Sequence, residues 1–204
     1  MADIFTAISG NNNDSAFDEL YREFLQDRTL FMNDEINDNV IEDYIMYILK
    51  WNKEDKNLPI ESRQPIKLFI SSPGGNVFNA NNMIDVIEAS KTPIWGIALD
   101  LVASAAYLCY LACHVRYSYK DSAFLQHEGD ILIENSRSKA KNNVEFFDSQ
   151  EERAKAFILS KTTMTSEFYD SVYEQEMWMY PDKAKGFGIV HKIIGEDCDM
   201  DEIL

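Results

Sequence analysis

Positive charge is scarce in this sequence. Nineteen lysines and arginines face 35 aspartates and glutamates, a formal net charge of −16. A polyanion would be repelled, so nucleic-acid binding through phosphates is excluded; an acidic surface also fits plain solubility. Cysteines are few and odd in number: Cys109, Cys113 and Cys198. They cannot all pair within the chain, and Cys109 and Cys113, four apart in an apolar stretch, have no second ligand pair beside them. They read as buried thiols in a reducing, cytoplasmic setting. No apolar run approaches the roughly 20 residues of a membrane helix. The start, MADIFTAISGNNNDS, lacks the basic and apolar regions of a secretory signal. HExxH, paired Cys/His spacings, GxxxxGKS and GxGxxG are all missing. Neither a metal nor another cofactor is expected.

What is there suits one packed domain. The length is 204 residues, and 46% are apolar, too many for a disordered chain. Residues 1–20 form a polar, Asn-rich segment expected to be flexible, with helical periodicity beginning near Phe17. Residues 21–204 are expected to form a single domain. Val40, Ile41, Tyr44, Ile45, Ile48 and Leu49 mark a helix over Asp38–Trp51. Ile66–Ile70 reads as a strand ending at Ser71-Ser72-Pro73-Gly74-Gly75, and a helix follows with Val77, Ala80, Ile84 and Ile87 on one side. Pro93–Leu99 is strand-like and Ala103–Cys113 a buried, small-residue helix. Val115–Tyr119 and Ala123–Gln126 are short strands. This alternation predicts an α/β fold with crossovers and a largely parallel sheet. A long exposed helix is predicted over 138–162, a second over Ser166–Gln175, a short one from Pro181, and a last strand over Ile189–Ile194.

Several residues could carry chemistry. Gly74 and Gly75 lie between a strand and a helix, where backbone N–H groups can stabilise an oxyanion. Spacing alone favours an ordinary strand-to-helix turn. Ser104 sits among alanines at a helix start, accessible to a substrate backbone, though a serine there can also simply pack. A serine nucleophile needs a base near neutral pH, and imidazole suits best. Three histidines are available: His114, His127 and His191. His127 is placed best, at the end of a strand where α/β sites gather. Lys155 is the rival base, although Glu151, Glu152 and Arg153 around it mark a solvated face.

In this order the pieces resemble the proteolytic subunit of the Clp protease, within the crotonase-like superfamily. The resemblance runs from about Tyr21 to Glu196. It rests on Arg28-Thr29-Leu30-Phe31 with Asn33-Asp34-Glu35-Ile36, on LFISSPGG at Leu68–Gly75, on Val102–Ala106 and on Phe124-Leu125-Gln126-His127. Trp178–Ile189 is similar to that family's closing helix and turn. The resemblance implies repeated β-β-α units with a protruding handle helix near 138–162. It implies Ser104 as nucleophile, His127 as base, and the N–H groups of Gly75 and Ala105 as oxyanion hole. It also implies homo-oligomeric seven-membered rings, stacked as a pair. Unfolded polypeptide is the substrate, fed by an AAA+ unfoldase.

The chain departs from that pattern. The position of the orienting aspartate falls on Val172. Asp170 and Glu174 flank it, and Asp170 is the third member assigned here. Asp100 replaces a glycine ahead of the nucleophile motif, Gly129 replaces a proline, and the turn before the His127 strand is shortened. The alternatives are a catalytically weak or inactive structural subunit of the same ring, a Ser104–Lys155 peptidase, and an acyl-thioester enzyme with affinity for coenzyme A.

Overall fold

A computed structural model describes residues 15–130 and 136–204. The flexible segment expected over 1–20 lies mostly outside them. Helix α1, Ala16–Gln26, opens on a capping box: Ser15 Oγ accepts from the Asp18 N–H, and the Asp18 carboxylate accepts from the Ser15 N–H. Strand β1 is Thr29–Met32. A π-helical turn, Ile41–Ile45, leads into α2, Met46–Asp55, so the predicted helix is present but starts three residues later and ends four residues later. Strand β2, Ile66–Ser72, feeds α3, Val77–Ala89. Strand β3, Ile94–Ala103, feeds α4, Ser104–Ala112. Strands β4, Val115–Ser118, and β5, Ala123–Gln126, follow. Helix α5, Arg137–Lys161, has 25 residues, about 37 Å at 1.5 Å each. Helix α6, Ser166–Val172, β6, Met177–Met179, α7, Pro181–Gly186, and β7, Lys192–Ile193, complete the order.

One sheet joins the seven strands in the order β1-β2-β3-β4-β7, with β5 on β3 and β6 on β5. All pairings are parallel except β5 with β6. The long β3 splits its edge: Trp95–Ala98 pairs with β4, and Leu101–Ala103 pairs with β5. That fork carries β5, and His127 after it, to the end of β3 where Ser104 begins. Alternate residues of β2 serve two cores. Ile66, Leu68 and Ile70 face the helices with Ile84, Ile87 and Tyr110, whereas Phe69 joins Ile97, Tyr117 and Ile203 on the other face. Burial on both faces is what a parallel sheet requires. The α/β fold, the largely parallel sheet and the long protruding helix match the expectation; only Ile158 of α5 is fully buried.

Two elements differ from the sequence reading. The last strand keeps only two residues of Ile189–Ile194, because the Ile189 N–H closes helix α7 on Ala184 O and is lost to the sheet. Strand β6 was hidden within a segment read as helix and turn. Three residues are too short to show a period, and only pairing with β5 makes it a strand.

Buried polar contacts fix the outer strands. Arg28, at φ +54, forks onto Asp55 at 2.5 and 2.8 Å, and Thr92 Oγ1 donates to the same carboxylate at 2.9 Å. The Arg28 guanidinium beside Asp55 holds its carboxyl below the ordinary range. Asp55→Ala strands that guanidinium and is expected to cost about 3–5 kcal/mol of stability, read as a lower urea midpoint at pH 7. A midpoint near wild type would mean that water replaces the pair.

His114 and His191 each accept a main-chain N–H at Nδ1, from Ile94 at 3.0 Å and Arg116 at 3.1 Å. Burial lowers both pKa values, and the Arg116 guanidinium, 2.9 Å from the other ring nitrogen, adds to it at His191. As pH falls through about 6.5, the unfolded chain binds protons that the folded chain refuses. Stability is therefore full above that pH and declines below it. Urea midpoints at pH 7.5 and 5.5 should show the loss, and His191→Gln should reduce it, leaving the part due to His114.

Candidate active site

The end of β2 and the end of β3 build the centre together. The two strands stay in register from Ile66 to Ile70, shift at Ser71, and resume with Ser72 opposite Val102. Ser72 Oγ donates to Asp34 O at 2.6 Å and accepts from the Gly74 N–H at 3.2 Å, which pins the loop. Ile36 pairs alongside: its N–H donates to Gly74 O at 2.7 Å, and its carbonyl accepts from the Asn76 N–H at 2.8 Å. Those bonds use the groups on either side of the Gly75 N–H and leave that one unpaired among the described residues. Asn76 Oδ1 then caps α3 through the Phe78 and Asn79 N–H groups.

Both glycines are obligatory. Gly74 has φ +98 and Gly75 φ +140. A methyl group on Gly74 would lie 2.7 Å from Ala103 O and from Ser104 Cβ; one on Gly75 would lie 2.4 Å from Ile36 O. No side chain fits either place, so the glycine loop lies directly against Ser104.

Ser104 itself has φ +54, in the left-handed region that a serine rarely occupies. The strand-to-helix turn forces it there, and Ala103, Ala105 and Ala106, all buried, leave space for nothing larger. Such strain persists only where the surroundings impose it. Ala105 is in the first turn of α4, so its N–H has no partner within the helix. Gly75, Ser104, Ala105 and His127 line one cavity of about 440 Å³. Its far wall is α5, through Phe147, Gln150, Glu151 and Ala154.

The other candidates lie elsewhere. Asp170 Oδ1 sits 2.5 Å from Lys155 Nζ, and Asp170 lines a neighbouring cleft rather than this cavity. Lys155 is held by that pair and over the Tyr169 ring, and it too is absent from the lining. Val172 is half-buried and packs on the main core. Glu174 is exposed. Asp100 is exposed and is not among the residues that line the cavity. His127 has no hydrogen-bond partner among the described residues. His114 and His191 serve the sheet. Burial raises the Cys109 and Cys113 thiols, Cys113 to about 12, and the described residues hold no group of three metal-ligating side chains. No described helix is long and apolar enough to cross a membrane.

With this geometry in view, known proteins agree on one kinship. A family model described as Clp protease matches residues 11–197. The chain belongs to the Clp protease family. Membership makes it a serine-type peptidase subunit. Proteolytic subunit 2 of the ATP-dependent Clp protease of Treponema pallidum is 22% identical over 193 residues, 93% of each chain. Subunit 2 from Pseudomonas aeruginosa is 26% identical over 199 residues, 94% of this chain and 92% of its own. The fold of a ClpP1 variant from Listeria monocytogenes superposes with a TM-score of 0.76 at 24% identity, over 91% of this chain and 99% of that one. For a Clp protease family member the chain is divergent.

Two features of the cavity escaped the sequence. One is the wall from α5, which arises only when the chain returns. The other is a pair of buried polar atoms without partners among the described residues, Tyr107 Oη and Gln126 Oε1, both on lining residues. An unpaired buried hydroxyl costs about 1–3 kcal/mol. Tyr107→Phe removes it, so the melting temperature should hold or rise; a fall of several degrees would show that the hydroxyl is bonded in solution.

Proposed function

We propose that the chain is an endopeptidase subunit that cleaves unfolded polypeptide by acyl transfer, with Ser104 as nucleophile and His127 as general base. One observation carries the reading: a strained serine shares a cavity with the histidine and with two N–H groups left unused by the backbone, those of Gly75 and Ala105. Ser104 Oγ attacks the scissile carbonyl while His127 takes its proton. The carbonyl oxygen, now an anion, is met by the Gly75 and Ala105 N–H groups. His127 returns the proton to the departing amine, leaving an acyl-enzyme. Water, deprotonated by His127, then attacks the acyl carbon, and the proton goes back to Ser104.

Family membership supports the setting. The subunits would assemble into stacked seven-membered rings, and an AAA+ unfoldase would thread substrate into their chamber in the cytoplasm. The acidic, exposed residues of the chain fit a soluble assembly of this kind.

A fluorophosphonate probe tests the chemistry in the assembled protein. Wild type should be labelled, Ser104→Ala should not, and His127→Ala should label at least about a hundredfold more slowly. Absence of labelling in an intact ring would instead favour a structural subunit, a reading for which the unpartnered His127 imidazole speaks.

A further inference from the structure

An imidazole that is to act as base needs an acceptor on its second nitrogen. The acceptor fixes the tautomer and offsets the charge gained with the proton. Val172 offers no acceptor, and Asp170 is committed to Lys155. The need is therefore unmet from helix α6.

We propose that Glu151, near the middle of helix α5, is the positioning carboxylate of His127. It rests on the assignment of Ser104 and His127 above. Glu151 lines the same cavity as those two residues, from the opposite wall. Its approach is close: a methyl group placed on Gly129, two residues past His127, would lie 3.0 Å from Glu151 Oε1. A larger residue at 129 would press on this carboxylate. The Tyr173 phenol lies beside this carboxylate. Burial, with the nearby Glu151 and Glu128 carboxylates, lifts that phenol above its usual range. Tyr173 follows Val172 directly, so the end of α6 borders the acid that the helix does not supply.

Other carboxylates are placed worse. Asp130 lines the cavity but is exposed, with no recorded tether among the described residues. Glu128 is exposed and lines the neighbouring cleft. Catalytic hydrogen bonds are often long in a free enzyme and tighten when substrate binds. During attack the proton of Ser104 goes to one ring nitrogen. The other keeps its N–H and donates to Glu151, which stays ionised throughout.

The test measures kcat and KM on a fluorogenic peptide, with ring assembly followed by sedimentation. Glu151→Gln should lower kcat by about 10²–10⁴-fold with KM changed less than about threefold. Glu151→Asp should recover part of the loss. Tyr173→Phe, which removes the phenol beside the carboxylate and keeps the acid, should lower kcat several-fold and leave KM alone; it serves if the Gln variant does not assemble. The proposal is overturned if Glu151→Gln keeps kcat within threefold, if the change falls on KM alone, or if the loss follows Asp130→Asn or Asp170→Asn instead. Should His127→Ala keep wild-type activity, the assignment of the base fails, and Glu151 with it.

Discussion

The contact of Gly74 with the Ala103–Ser104 turn organises this molecule. Two parallel strands deliver a glycine loop and a serine to one point, and neither Gly74 nor Gly75 has space for a β-carbon. The strand pairing holds Ser104 in a left-handed conformation that it would not keep alone. Ile36, from the segment after β1, takes the backbone groups on either side of the Gly75 N–H, which stays unpaired among the described residues. Everything chemical at the cavity follows from that close approach, and the cores on both sheet faces hold the two strand ends still.

His127 arrives by a different route. Strand β3 changes partners along its length, from β4 to β5, so the residue after β5 comes out beside the residue after β3. The antiparallel strand β6 then braces β5 from outside. A residue's distance from Ser104 in sequence says nothing of this: His114 is nearer along the chain and serves the sheet.

The acidic excess is spread unevenly over these tasks. Asp55 is buried and paired, Asp170 forms an ion pair with Lys155, and Asp100 points to solvent. Glu151 is half-buried and lines the cavity from helix α5. A helix that protrudes from the core therefore also forms one wall of the site.

Much of this was legible in the sequence. Apolar spacing, short apolar runs and turn signals placed α1 to α5 and β2 to β5 within a few residues, because each carries that pattern in its own side chains. The glycine pair, Ser104 and His127 became candidates through the order of motifs that resembles the Clp protease family, each by itself fitting an ordinary structural role. What the sequence could not decide was which carboxylates line the cavity with His127. Counting back from Trp178 leads to Val172 and its neighbours, yet the carboxylates at the cavity, Glu151 and Asp130, come from helix α5 and from the loop after His127. Strand β6 and the shortened β7 were likewise beyond reach, since hydrogen bonds to distant partners define them. Local spacing determines helices, strands and the kinds of residue at a site. Which of them meet is decided by packing between segments far apart in the chain, and only the tertiary structure holds that information.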